Sequence, residues 1–183
     1  MEALFLSVNV MMDAKGFSHF AHFDVFTLTG RGRRMAAIAG ILVSLAIMNY
    51  ATDAALLGTV ILLIGVFILL SFLIRYRAST VEQINRFRLN DPKPVYRIDF
   101  PQEGAALRLA ITDQPEQEIA FADLYGVYRT THAVYLYKEK TQAYIVPLSQ
   151  LPQGMEQPLW KYLCARVPAA QDKRSLLARR RAA

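Results

Sequence analysis

The chain has 183 residues, of which 54% are hydrophobic and 20% are charged, and its formal net charge at pH 7 is +6. This apolar content excludes a disordered chain, and the single cysteine, Cys164, excludes a scaffold held by disulfides. The hydrophobic residues are concentrated between Met35 and Ile74, which indicates a membrane segment flanked by extramembrane parts.

Residues 1–34 are predicted to form a cytoplasmic strand–helix segment. Apolar residues alternate from Leu4 to Val10, as they do in a strand. Asp13 stands where it can cap a helix that runs to about Phe26. Because an isolated strand is not stable, we predict that residues 4–10 pair with, or pack on, the sheet in the C-terminal half. The alternative is that this segment forms a separate amphipathic unit against lipid.

Two uncharged runs, residues 35–52 and 54–74, predict a transmembrane hairpin of two helices. At about 1.5 Å per residue, each run is long enough to cross a hydrocarbon core of about 30 Å. The first run is richer in alanine, and a buried soluble helix is the alternative for it. If the turn centres near Ala51, then Ser44 faces Gly58, and small residues meet at the helix contact. The same register pairs Ala37 with Gly65, although glycine and alanine are also simply common in membrane helices.

The charges that flank the two runs predict the topology. Arg31, Arg33 and Arg34 precede the first run, Arg75 and Arg77 follow the second, and the link between the runs has no Lys or Arg. The positive-inside rule therefore predicts a multi-pass protein with both termini in the cytoplasm. Anionic inner-leaflet lipid is expected near the same five arginines.

The remainder of the chain is predicted to be cytoplasmic. Residues 75–94 read as a juxtamembrane helix and linker, and residues 168–183 as a frayed basic tail. Between them, residues 95–167 carry six short runs of alternating apolar residues, which indicate an antiparallel β-domain. A closing helix follows, with one apolar face formed by Met155, Leu159, Tyr162 and Leu163. The expected fold class is thus an α+β membrane protein whose β-domain is pleckstrin-homology-like.

The order of these parts resembles the YcxB-like family of small bacterial membrane proteins. The resemblance is most specific in residues 119–137, which read IAFADLYGVYRTTHAVYLY, and in residues 142–147, which read QAYIVP. The family often has a basic residue directly after that proline, where this chain has Leu148. The resemblance implies a protein of the bacterial plasma (inner) membrane with a cytoplasmic pleckstrin-homology-like domain, and it implies no reaction.

The sequence predicts no catalytic, cofactor-binding or metal site, although three places carry side chains capable of such chemistry. His19 and His22, with Asp24 nearby, have a spacing that can hold a metal, but an aromatic-rich helix covering a sheet shows the same pattern. Asp123 could act as an acid or base, although capping a turn is the favoured role. Cys164 is expected to be an inert buried thiol.

Five tyrosines in the β-domain could form a stacking platform for single-stranded nucleic acid. Such platforms interleave aromatic with basic residues, whereas the neighbours here are mainly apolar, so packing within the sheet is favoured. These residues are Tyr125, Tyr128, Tyr135, Tyr137 and Tyr144. The membrane accounts for the net positive charge, and no nucleic-acid partner is expected.

The sequence is compatible with three functions. The leading expectation is a non-enzymatic protein that presents its β-domain for interaction with a protein or lipid partner. The alternative is a subunit of a small transporter or channel, which would require a homo-oligomer because uncharged spans provide no obvious pathway. A membrane-tethered enzyme is the third, but the chain has no credible catalytic cluster.

Overall fold

The computed structural model describes residues 4–111 and 114–174, and the chain divides into two compact units. The first, here called the β-unit, combines residues 1–16 with residues 92–183. The second, here called the helical unit, comprises residues 17–91. The fold class is α+β, with two long apolar helices and mainly antiparallel sheets.

The helical unit contains two long α-helices, a short π-helical segment and all but the first three residues of a third α-helix. Helix α1 (Ala14–His22) begins after Asp13, whose carboxylate accepts a hydrogen bond of 2.7 Å from the Gly16 N–H, so the predicted cap is confirmed. The π segment (Phe23–Leu28) follows, and then α2 (Arg31–Ala51) and α3 (Ala55–Arg86).

Helices α2 and α3 are the two described helices that are long and apolar enough to cross a membrane. Helix α3 continues past Ile74, where the uncharged run ends, to Arg86, as the sequence predicted for the juxtamembrane segment. The two helices are joined by a turn in which Asp53 takes a left-handed conformation with φ of 57°.

The hairpin closes through glycines, but in a different register from the predicted one. A Cβ on Gly58 would lie 3.0 Å from the Ala46 carbonyl oxygen, and a Cβ on Gly65 would lie 3.2 Å from the Leu42 Cβ. The helices therefore approach closely at both glycines, as small residues allow.

The predicted pairing of Gly58 with Ser44 and of Gly65 with Ala37 is wrong. Helix α2 ends at Ala51 and α3 begins at Ala55, so the turn centres on residue 53 rather than near residue 51. This displacement brings residues further along α2 opposite each glycine of α3.

The β-unit contains two four-stranded sheets. The first has the order β1-β2-β3-β4 and is antiparallel, with strands β1 (Leu4–Met12), β2 (Lys93–Pro101), β3 (Ala106–Ile111) and β4 (Gln117–Ala120). The second has the order β7-β6-β5-β8, with strands β5 (Gly126–Arg129), β6 (Ala133–Glu139), β7 (Gln142–Pro147) and β8 (Ala170–Asp172). All six strands predicted between residues 95 and 147 are present.

The N-terminal strand pairs with the C-terminal part of the chain, which confirms the prediction for residues 4–10. Strand β1 runs antiparallel to β2, and Val8 lies opposite Ile98. Four of its side chains are buried: Leu6, Val8 and Val10 in the core, and Met12 at the end of the strand. The side-chain amide of Gln150 also bonds both backbone groups of Met11, at 2.8 Å to the N–H and 2.6 Å to the carbonyl oxygen.

Helix α4 (Glu156–Arg166) closes the β-unit through its buried face of Leu159, Tyr162 and Leu163, as predicted. The Tyr162 hydroxyl donates a 2.6 Å hydrogen bond to the Pro101 carbonyl oxygen. Tyr162 also stacks on Phe5, with ring centroids 4.6 Å apart, so α4 is fastened to the first sheet at both β1 and β2.

Tyr96 fastens the first sheet to the second. Its hydroxyl donates to the Ile145 carbonyl oxygen at 3.0 Å and accepts from the Ile145 N–H at 2.7 Å. Burial raises the pKa of Tyr96 well above the ordinary value for a phenol, so the hydroxyl keeps its proton throughout the physiological range.

One segment of the predicted basic tail is ordered. Residues 170–172 form β8, which pairs in parallel with β5, and the Lys173 N–H bonds the Arg129 carbonyl oxygen at 2.8 Å. The expectation of a frayed tail from residue 168 is therefore wrong for this part, because β5 offers free backbone groups that β8 satisfies. The most basic stretch, residues 175–183, lies outside the described residues.

Candidate functional site

An open groove of about 670 Å³ lies in the helical unit, between α1 with the π segment on one side and α2 with α3 on the other. Its floor is one face of α3, where the lining residues recur at three- to four-residue intervals. They change in character along the helix, from Phe67, Ile68, Ser71 and Phe72, through Arg75 and Tyr76, to Ser79, Thr80 and Gln83. One end of the groove is therefore apolar and the other polar, with a cation between them.

An aromatic cluster holds the opposite wall in place. The ring of Phe26 in the π segment packs edge-on against Phe72 and Tyr76 of α3, with centroids 6.2 and 5.4 Å apart, and stacks on His22. The same ring fills the space where a Cβ on Gly32 would sit. Only glycine at position 32 allows this approach, so the wall depends on that residue.

The charges that line the groove come from Arg31 of α2, Arg75 of α3 and Asp24 of the π segment. Both arginines are exposed, and among the described residues neither guanidinium forms an ion pair or hydrogen bond with a side chain. The lining thus carries a net charge of +1 and presents two guanidinium groups, whose N–H donors suit phosphate or carboxylate.

The other arginines of the predicted lipid-contacting set do not line the groove. Arg33 donates to the Thr27 carbonyl oxygen at 3.4 Å, and Arg34 donates to the Thr29 carbonyl oxygen at 3.3 Å. Arg77 is exposed on α3 outside the groove lining. Two of the five arginines thus line the groove, whereas the other three contact backbone oxygens or face solvent. The sequence did not distinguish these two sets.

A second polar site lies in the β-unit around Arg129, which is completely buried. Its guanidinium forms an ion pair with Glu156 and donates to the Gln157 side-chain oxygen at 3.2 Å. It also lies 5.7 Å from the ring centroid of Trp160, and Arg174 approaches the same Glu156 carboxylate at 3.6 Å. Because the guanidinium contacts residues of α4, this cluster joins that helix to β5.

The sequence did not single out Arg129, because the feature that marks it, burial of β5 on both faces, is visible only in the structure. Strand β5 lies between β6 and β8 in its sheet. All four of its residues are buried, so the strand is covered on both faces. A buried arginine at the end of such a strand needs an ion-pair or hydrogen-bond partner within reach of its guanidinium. The pattern of glycine, valine, tyrosine and arginine does not reveal by itself that both faces are covered.

The structure places the three candidate metal ligands on two consecutive helical segments. His19 and His22 lie on α1, and Asp24 lies on the π segment. The part of the chain that the structure describes contains no group of three or more His, Cys, Asp or Glu side chains that could hold a metal ion. Asp123 is exposed on a single 3-10 turn.

The prediction of a buried thiol at position 164 is wrong, because Cys164 is exposed. It follows Leu163 on α4, and one residue along a helix turns the side chain by about 100°, which carries it off the buried face. Nearby protein atoms still desolvate the thiol in part and raise the pKa of Cys164, so little thiolate is present at neutral pH.

The tyrosines of the β-unit pack rather than form a platform, as predicted. Four of the five are buried, and only Tyr125 is substantially exposed, at 47%. Tyr128 and Tyr137 pack edge-on with centroids 5.6 Å apart, and burial raises the pKa of Tyr135 to about 12. Among these five described tyrosines, only Tyr125 therefore offers a substantially exposed ring.

No protein-family model, curated protein or solved structure matches the chain. What the fold defines is a class: an α+β protein with a hairpin of two apolar helices and a unit of two sheets closed by a helix.

Proposed function

We propose that the chain is a non-enzymatic inner-membrane protein that spans the bilayer with α2 and α3 and presents its β-unit in the cytoplasm to a protein or lipid partner. The pairing of β1 with β2 carries this proposal. Strand β1 precedes the hairpin and β2 follows it, so both must lie on the same side of any membrane that the hairpin crosses. Two spans satisfy this requirement, and one span does not.

The flanking charges support the cytoplasmic orientation. Arg31, Arg33 and Arg34 lie at the start of α2, and Arg75 and Arg77 lie beyond the apolar part of α3. The turn at residues 52–54 contains no cation. By the positive-inside rule, the turn faces outwards and the β-unit faces the cytoplasm.

The arrangement of the β-unit supports a pleckstrin-homology-like roll of the kind that a YcxB-like protein would carry. Two four-stranded sheets share one core, and a C-terminal helix covers it. Residues 119–137, which carry the resemblance to that family, form the end of the first sheet and the centre of the second. A role in binding rather than catalysis is consistent with the described side chains, whose buried charges are held in structural ion pairs.

Cysteine labelling in intact cells tests the proposed topology. Native Cys164 is exposed on α4, and Thr52 lies in the exposed turn. A membrane-impermeant maleimide that enters the periplasm is expected to label Thr52→Cys in a Cys164→Ser background, and to leave Cys164 of the natural chain unlabelled until the inner membrane is permeabilised. Labelling of Cys164 in intact cells would contradict the cytoplasmic β-unit, and labelling of neither cysteine before permeabilisation would contradict the hairpin.

A further inference from the structure

We propose that the groove of the helical unit binds one anionic phospholipid, with the lipid phosphate held between Arg31 and Arg75 and an acyl chain lying along Phe67 and Ile68. This proposal rests on the membrane placement proposed above, and it goes further by assigning the lipid to one site rather than to the cationic surface in general.

The position of the groove along α3 matches the depth of a lipid in one leaflet. Arg75 follows the last uncharged residue of the span, Ile74, and so marks the boundary between apolar and polar environments. The groove reaches from Phe67 to Gln83, eight residues to either side of Arg75, or about 12 Å in each direction at the helical rise. Its apolar end therefore lies within the hydrocarbon, and its polar end lies at headgroup level.

The side chains follow the same division. Phe67, Ile68 and Phe72 line the end that would lie in hydrocarbon, and Phe67 is 71% exposed. Ser79, Thr80 and Gln83 line the end that would face headgroups and water. An amphiphile with a phosphate at the level of Arg75 would meet matching chemistry along its whole length.

The charge of the lining favours a monoanionic headgroup. Arg31 and Arg75 outweigh Asp24 by one positive charge, which a single phosphodiester neutralises. A headgroup with hydroxyls, such as that of phosphatidylglycerol, would also donate a hydrogen bond to the Asp24 carboxylate, which accepts several. A zwitterionic phosphatidylethanolamine headgroup would leave the excess positive charge of the groove uncompensated.

The size of the groove sets how much of the lipid it can hold. Its volume of about 670 Å³ lies within the range of about 300–1,000 Å³ that is typical of ligand sites. This volume accommodates a headgroup and part of one acyl chain, and the open side lets the remaining chain stay in the bilayer. The bound lipid would thus exchange laterally with the leaflet rather than be enclosed.

Native mass spectrometry of the full chain, released from nanodiscs with equal amounts of phosphatidylglycerol and phosphatidylethanolamine, tests this proposal. The expected result is a single retained phosphatidylglycerol. The double variant Arg31→Gln with Arg75→Gln is expected to retain that lipid on the order of tenfold less. The matched control, Arg33→Gln with Arg34→Gln, removes the same charge beside the groove and is expected to stay within about twofold of the natural chain.

Several outcomes would contradict the proposed lipid-binding site. Equal loss in both double variants would mean diffuse attraction to the cationic surface, and no loss in either would mean that the arginines do not hold the lipid. Equal retention of the two lipids, release of the lipid by millimolar glycerol phosphate, or a lipid-free dimer would each contradict it as well. The pair Arg31→Lys with Arg75→Lys keeps the charge and is expected to retain most of the lipid, which guards against a folding defect.

The failure of this proposal can be told apart from the failure of the membrane placement. The cysteine-labelling pattern does not depend on a bound lipid, so it would remain unchanged if only the lipid site were wrong. If the hairpin did not span the membrane, both the labelling pattern and the lipid retention would fail together.

Discussion

Removing β1 is expected to unfold the β-unit. The strand buries four apolar side chains, Leu6, Val8, Val10 and Met12. Burial of such side chains contributes about 1.5–3 kcal/mol each, so the total is comparable with the stability of about 5–15 kcal/mol that is usual for a domain. Without β1, strand β2 also becomes an unpaired edge, so the truncated chain is expected to aggregate.

A pair of point variants separates this effect from a general intolerance of changes in β1. Val8 is 2% exposed and faces the core, whereas its neighbour Asn9 is exposed on the opposite face. Val8→Asp is expected to destabilise the β-unit by several kcal/mol because it buries an unpaired carboxylate. Asn9→Asp introduces the same side chain into water and is expected to change stability by less than about 0.5 kcal/mol.

Fluorescence of Trp160, the only tryptophan in the chain, reports unfolding of the β-unit in these variants. A segment of residues 75–183 made alone is expected to be unstable, and addition of residues 1–30 in trans is expected to rescue it. Native-like amide-exchange protection in residues 95–147 after removal of residues 1–12 would contradict the structural role of β1.

Removing Glu156 is expected to lower the stability of the β-unit more than removing Arg129. Glu156 is 42% exposed at its side chain, whereas Arg129 is completely buried. Glu156→Ala leaves a buried guanidinium without its carboxylate, which is expected to lower the free energy of unfolding by about 3–5 kcal/mol. Arg129→Met fills a similar volume and frees Glu156 to reach water, so the expected change is within about 1 kcal/mol.

Chemical unfolding followed by Trp160 measures both variants directly, since its ring lies 5.7 Å from the Arg129 guanidinium carbon. Glu156→Gln serves as the intermediate case, because it keeps a hydrogen-bond acceptor but removes the charge. A greater loss of stability in Arg129→Met than in Glu156→Ala would show that packing of the arginine stem, rather than satisfaction of its charge, holds α4 in place.

Sequence periodicity predicted the elements because it reports which face of an element is buried. The alternation from Leu4 to Val10 identified β1, and the need of a strand for partners led to its pairing with the C-terminal sheet. Asp13 predicted the start of α1 because a helix terminus needs an acceptor for its free N–H groups. Each of these inferences depends on local chemistry.

The features that the sequence did not predict depend on how elements meet. The register of the hairpin follows from a turn centred on Asp53, and a displacement of two residues in the turn changes every facing pair. The groove arises where the π segment lies beside α3, which requires Phe26 to pack on Gly32. The exposure of Cys164 was mispredicted because the closing helix has a narrow buried face.

A disulfide crosslink between β1 and β2 in native membranes tests the central claim, that the segments on either side of the hairpin join in one sheet. Asn9 and Arg97 are opposite each other and both exposed, so Asn9→Cys with Arg97→Cys in a Cys164→Ser background is expected to form an intramolecular disulfide. Ala110 lies opposite Arg97 on the far side of β2. Asn9→Cys with Ala110→Cys spans two strand spacings, about 9–10 Å, and is expected not to crosslink. Absence of the first crosslink, or equal formation of both, would contradict the account.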